Sequence, residues 1–205
     1  MFHLTRLLHS HRAWSRNHAV RACVFALGLA CAVALYFLSP PGRRSAIAQT
    51  GPIVLNDFED GTAQGWVPRG GGVVLTNTTE AAFNGTHSLK TTNRTAGFHG
   101  PSLNVLNTLT KGATYQVTAS VRLVAGQTPT TVRVTVQRTP AGGSNQFDTV
   151  AQNTNVTDAA WVTLTGLYSF TSEVSGLLLY VEATTATASY YLDDFSITLL
   201  APPPG

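Results

Sequence analysis

The chain has 205 residues, of which only 11 % are charged while Thr, Val, Gly, Ser and Asn are abundant, the composition of a β-rich extracellular module rather than a helical one. Its formal charge of +3 comes from the first 48 residues: Arg6, Arg12, Arg16, Arg21, Arg43 and Arg44 lie there without one acid, so the rest keeps 13 − 6 = 7 bases against 10 acids. That net of −3 removes any argument for nucleic acid as a partner. Both cysteines, Cys23 and Cys31, also lie in this leader, which leaves the rest of the chain with no disulfide and no thiolate metal site.

In chain order, a basic and polar stretch over 1–21 precedes a continuous apolar run, Ala22–Leu38. Ala46-Ile47-Ala48 then offers a small-x-small cleavage site, so residues 1–48 read as a signal peptide and the domain as secreted. An uncleaved signal-anchor, which would hold the protein at a membrane, is the alternative.

From residue 50 the sequence shows no helical period. Short alternating runs predict strands over Ile53–Phe58, Gly65–Pro68, Val73–Asn77, Ser88–Thr92, Ser102–Val105 and Thr114–Leu123. Further runs follow over Thr130–Gln137, Phe147–Asn153, Trp161–Phe170, Gly176–Glu182 and Ser189–Leu199. Glycine- and proline-rich turns separate them, such as Asn84-Gly85, Lys111-Gly112 and Pro140-Ala-Gly-Gly-Ser-Asn145. Many short strands joined in this way predict an all-β, antiparallel β-sandwich of jelly-roll type over 49–200. Ala201-Pro-Pro-Pro-Gly205 reads equally as a terminus or as the start of a proline-rich linker.

Trp66, Tyr115, Trp161 and Tyr168 sit in strand patterns and are expected in the core. Tyr180 and Glu182 lie two residues apart in an apolar strand, so one face presents both. Three glycines follow Arg69, which is read as room for a ligand to approach closely. Phe98, between Gly97 and His99, is a loop aromatic that core packing does not account for. Asp193 shares strand phase with Tyr191, Phe195 and Ile197, which predicts an inward direction, where a carboxylate needs either a cation or several N–H donors.

Several motifs, in order, resemble one family. They are Phe58-Glu-Asp-Gly61 with Gly65-Trp66 and Arg69-Gly70, Gly85-x-His-Ser-Leu-Lys90, Arg94-Thr-Ala-x-Phe-x-Gly-Pro101 and Lys111-Gly112-x-x-Tyr115. Trp161-x-x-Leu-x-Gly-x-Tyr168, Tyr180-Val-Glu182 and Tyr191-Leu-Asp-Asp-Phe195 complete the set. Together they resemble the xylan-binding modules of carbohydrate-binding family 22, within the family 4/9/22 group, which are β-sandwiches often attached to xylanases. The resemblance implies a cleft formed by Arg69, Phe98, Phe147, Tyr180 and Glu182, with Phe98 where the family usually has Trp and Phe147 where it usually has Tyr. An aromatic ring accepts the apolar face of a pyranose, while Arg, Glu and Tyr bond its hydroxyls. The resemblance further implies a structural Ca²⁺ held by Glu59 and Asp193, with the carbonyls of Asp57 and His87 as further ligands. A carboxylate satisfied by backbone N–H groups is the alternative at Asp193.

The expected function is therefore non-catalytic binding of β-1,4-xylan or mixed-linkage glucan by a monomer, alone or as the front module of a longer glycoside hydrolase. Catalysis by the domain itself would need two carboxylates flanking one bond, and Glu182 lacks an evident partner. An adhesion domain is the third class.

Overall fold

A computed structural model of the chain describes residues 51–205; the expected signal segment, the expected cleavage site and both cysteines lie outside the described residues. Among the described residues eleven strands form: β1 Val54–Asn56, β2 Val67–Arg69, β3 Val74–Thr78, β4 Ser88–Thr92, β5 Gly100–Asn104, β6 Thr114–Leu123, β7 Thr130–Pro140, β8 Gln146–Val156, β9 Val162–Tyr168, β10 Val174–Ala183 and β11 Tyr190–Ala201. They make two antiparallel sheets. The six-stranded sheet runs β3-β4-β11-β6-β9, with β1 also on β11, and the five-stranded sheet runs β2-β5-β10-β7-β8. This is the expected β-sandwich.

The alternation read from sequence decides which side chains meet between the sheets. On β6, Tyr115, Val117, Ala119, Val121 and Leu123 are buried, and they face Val132, Val134 and Val136 of β7 and Leu177, Leu179 and Val181 of β10 across the core. Trp66 joins them, its ring edge-on to Phe195 at 4.9 Å between centroids, and its indole N–H donates to Asn56 Oδ1 at 3.1 Å. A buried indole thereby keeps its one donor satisfied. Tyr115 and Tyr168 belong to the same core.

Two expectations change. Asp193 does not share the phase of Phe195 and Ile197. Asp194 adopts a positive φ of 44°, and the β11–β6 register shifts between Asp193 and Ser196. Tyr190 and Leu192 therefore point into the core before this bulge and Phe195 and Ile197 after it, while Tyr191 and Asp193 face the outside of the six-stranded sheet. Asp193 is buried there, beneath the segment containing Phe83 and Asn84. Trp161 is the second change: it precedes β9 and lies half-buried on the outer face, next to Phe83 (5.9 Å) and Tyr191 (6.3 Å) rather than in the core.

Candidate functional site

The outer face of the five-stranded sheet carries the expected binding residues. Along β10, Leu177, Leu179, Val181 and Ala183 point into the core, so Leu178, Tyr180 and Glu182 point away from it. Strand register extends that face sideways: Tyr180 lies opposite Ser102 of β5 and Thr135 of β7, Glu182 opposite Arg133, and Leu178 opposite Gln137, which itself faces Phe147 of β8. At the other edge, Arg69 ends β2 opposite Gly100. Arg69 and Phe147 thus lie on the two edge strands, four inter-strand spacings or roughly 19 Å apart, with Tyr180 and Glu182 between them.

Arg69, Phe98 and Tyr180 are brought into contact. The Arg69 guanidinium carbon lies 4.2 Å from the centroid of the Tyr180 ring and 6.0 Å from that of Phe98, and Nε donates to the Phe98 carbonyl at 3.2 Å. This geometry is a cation–π arrangement. It covers Tyr180, which is only 2 % exposed and so supports Arg69 rather than offering its own ring. Burial pushes the phenol's pKa up, as does the nearby Glu182, while Arg69 pulls it down. Glu182 is fixed in turn by the Thr135 hydroxyl, which donates to Oε1 at 2.7 Å. Phe98 and Phe147 are 55 % and 57 % exposed, far more than ring packing alone would leave.

The residue that builds this site and that motif reading left without a role is Arg94. It is buried, and its guanidinium donates to six carbonyls: His99, Ala96 and Gly97 of its own loop, Ala183 at the end of β10, and Thr185 and Ala188 of the β10–β11 connection. The Tyr190 ring lies 5.3 Å from it. Arg94 therefore pins the loop that carries Phe98 to the end of the strand that carries Glu182. Gly100 completes the seat, because a Cβ there would run into the Val181 carbonyl oxygen and the Tyr190 hydroxyl. The glycine after Arg69 has a different use from the expected one: a side chain on Gly70 would overlap the His99 ring, so the close approach is made by this chain's own histidine. The cue for Arg94 was an arginine opening a glycine-rich loop whose carbonyls have no strand to pair with.

The expected metal ligands lie by the opposite sheet: Asp193 on β11, Asp57 and Glu59 in the β1–β2 connection and His87 just before β4. Glu59 Oε1 accepts from the Thr86 and His87 N–H groups (2.9 and 2.7 Å), and Oε2 accepts from the Thr86 hydroxyl (3.0 Å). Asp193 Oδ2 accepts from the Phe83 and Asn84 N–H groups (2.6 and 3.3 Å), and Oδ1 from that of Asp194 (2.7 Å). Asp57 Oδ1 accepts from Gln64 Nε2 (2.9 Å), and the His87 ring nitrogen Nδ1 meets Asn77 Oδ1 (2.6 Å). Glu59 and Asp193 thus hold the two ends of one short segment, 83–87. Among the described residues no three His, Cys, Asp or Glu side chains gather as a metal cluster. One oxygen of each acid, Glu59 Oε2 and Asp193 Oδ1, has a single contact and so keeps acceptor capacity for a hard cation. Burial pushes the Asp193 pKa up to about 6 despite its N–H donors.

Comparison with known proteins identifies the family and the fold. A family model described as a carbohydrate binding domain matches residues 52–188. Endo-1,4-beta-xylanase C of Paenibacillus barcinonensis is 42 % identical over 162 residues, which are 78 % of this chain and 15 % of that enzyme. Endo-1,4-beta-xylanase A of Thermoanaerobacterium saccharolyticum is 36 % identical over 169 residues, 80 % of this chain and 14 % of that enzyme. The chain thus spans only a small part of the curated relatives it matches. Among solved structures, the first family 22 xylan-binding domain of a Paenibacillus barcinonensis xylanase matches with a TM-score of 0.70 at 42 % identity, over 74 % of this chain and 96 % of that domain. The chain belongs to the carbohydrate-binding domain family and, within it, to the family 22 modules.

Proposed function

We propose that this module binds β-1,4-xylan, with mixed-linkage glucan as the alternative ligand, along the outer face of the five-stranded sheet. The observation that carries the reading is the Arg69–Tyr180 pair, which lies beside the exposed Phe98 on the face that also presents Glu182. Phe98 and Phe147 would take the apolar faces of sugar rings near the two edges of the platform, Arg69 would donate to hydroxyls, and Glu182 would accept from them. The xylan-binding domain that is 42 % identical supports the choice of ligand. Phe147 cannot make the hydrogen bond that a tyrosine would, a difference of about 0.5–1.5 kcal/mol.

The neighbours of Glu182 support binding without catalysis. Its cross-strand partner is Arg133 and its hydrogen-bond donor is Thr135, whereas glycoside hydrolysis requires a second carboxylate across the scissile bond. The two relatives compared above are xylanases, which supports a role as an accessory module of a longer xylan-degrading enzyme. Export through the leader belongs to the same reading and is checked by the mass of protein recovered from the medium, expected to begin at Gln49. So does a structural Ca²⁺ between Glu59 and Asp193 by the other sheet. The binding reading is tested by electrophoresis in native gels containing xylan. Retardation is expected for the unmodified protein and not for Phe98→Ala or Glu182→Ala; equal mobility with and without xylan would reject it.

A further inference from the structure

A polar cavity lies beyond the β8 edge of this platform. It has a volume of about 340 Å³ and is lined by Arg138, Asp148, Thr149 and the segment Leu167–Thr171. That size falls at the lower end of ligand pockets, roughly 300–1,000 Å³. It sits where β8, the edge of one sheet, runs against β9, the edge of the other. The two strands are pinched together at Gly166, where any side chain would collide with the Val150 carbonyl. The cavity opens beyond that pinch, toward Leu167–Thr171.

Strand phase separates it from the proposed xylan platform. Val136 points into the core and lies opposite Asp148, so Asp148 leaves β8 on the core side, whereas Phe147 leaves it on the platform side. Arg138 has the phase of Val136 and reaches Asp148, with Nε donating to Oδ2 at 3.0 Å and Nη2 to Oδ1 at 3.4 Å. The pair is charge-neutral, which gives an ionic ligand no Coulombic advantage. It still has bonding capacity: a guanidinium has five N–H groups, and Nη1 makes no bond to Asp148. The Tyr168 hydroxyl donates to Asp148 Oδ2 only at 3.5 Å, and its pKa is pushed up to about 12, chiefly by burial, so it stays a neutral phenol. Ser169 and Thr171 add polar residues to the lining, whereas the Thr149 side chain, opposite Thr135, leaves β8 on the platform side; the buried Tyr168 and Phe170, their rings near-parallel and 6.1 Å apart, close the inner side.

A neutral donor–acceptor pair in a small polar cavity matches a small neutral polyol: adjacent hydroxyls can donate to Asp148 and accept from Arg138. We propose that the β8–β9 cavity is a second, independent sugar site that takes one neutral sugar residue, either free or at the end of a chain.

The test is a titration of the protein with D-xylose, L-arabinose, D-glucose and D-glucuronate, followed by amide NMR shifts up to about 100 mM, a range that covers millimolar dissociation constants. Saturable shifts at Thr149, Ser169 and Thr171 are expected with at least one of the neutral sugars. They should persist in Phe98→Ala, which disables the platform, and vanish in Arg138→Met, which removes the guanidinium that lines the cavity. Asp148→Asn, which keeps the shape, should weaken binding about fivefold or more, on the scale of one charged hydrogen bond. Absence of saturable shifts at these amides with all three neutral sugars would overturn the site, and tighter binding of glucuronate than of the neutral sugars would overturn the ligand class. Because Phe98→Ala separates the two surfaces, failure here and failure of the xylan platform are distinguishable.

Discussion

Removing the Arg94 side chain tests how the platform is built. Arg94→Ala deletes six donor contacts to carbonyls on two chain segments. A hydrogen bond to a charged group contributes about 1.5–3 kcal/mol singly, but six on one guanidinium are not additive, and water will reach some of the released carbonyls. Loss of a buried, bonded charge centre costs about 3–5 kcal/mol, a large part of the 5–15 kcal/mol available to a domain. At roughly 2–4 °C per kcal/mol for a domain of this size, the melting temperature should fall by about 6–20 °C. The loop of residues 94–101 should lose order first, because its carbonyls have lost their common partner. Thermal melts give the stability, and hydrogen exchange of the His99 amide, which donates to the Ala96 carbonyl, reports the loop. A fall below about 2 °C with the His99 amide still protected would refute the assignment of Arg94 as the loop's anchor. Xylan retardation should be lost with the loop, while Arg94→Lys should recover little of either property, since an ammonium cannot fan out to two segments.

Gly100→Ala should destabilise by more than the usual 1–3 kcal/mol of overpacking, because the obstacle is the Val181 backbone; a melting temperature within 1 °C of the unmodified protein would contradict that reading. The Glu59 carboxyl is held below its usual 4.5, first by the His87 N–H and then by that of Thr86. A depressed folded-state pKa gives stability that is complete above 4.5 and is lost as pH falls through the lower value. In chelator, the melting difference between the unmodified protein and Glu59→Gln should be flat near neutrality and shrink on acidification below about 4.5; a gap that widens there would be the wrong sign. A bound Ca²⁺ stabilises by mass action, so micromolar to millimolar CaCl₂ should raise the melting temperature, and a strong chelator should reverse the gain in the unmodified protein but have no effect on Glu59→Gln; a temperature unmoved by either reagent would remove the ion from the account.

The sheets were legible because alternation was uninterrupted. Thr114–Leu123 reads as a perfect half-buried strand and forms β6 over the same residues. β2 begins later than expected because the Trp66 N–H turns back to the Ala63 carbonyl before the strand starts. The phase of Asp193 was not legible, because the bulge rests on a non-glycine residue, Asp194, at positive φ, and nothing in Tyr-Leu-Asp-Asp-Phe separates such a residue from one in regular strand. The platform was half legible. The face shared by Tyr180 and Glu182 follows from their two-residue spacing, and the exposure of Phe98 from its glycine neighbours. The covering of Tyr180 by Arg69 depends on β2 and β10 lying on either side of β5, a neighbour relation that local pattern does not contain. Trp161 was misplaced for the same reason: its companions Phe83 and Tyr191 come from two other parts of the chain.

The central claim is that sugar rings rest on the exposed aromatics of the five-stranded sheet, and calorimetric titration with a β-1,4-linked xylo-oligosaccharide tests it most directly. The account predicts saturable binding by the unmodified protein, weakened about ten- to hundredfold in Phe98→Ala, as removal of about 1.5–3 kcal/mol of ring contact requires, with an unchanged melting temperature because that ring is 55 % exposed. Equal affinity in the two proteins, or no heat of binding in either, would contradict it.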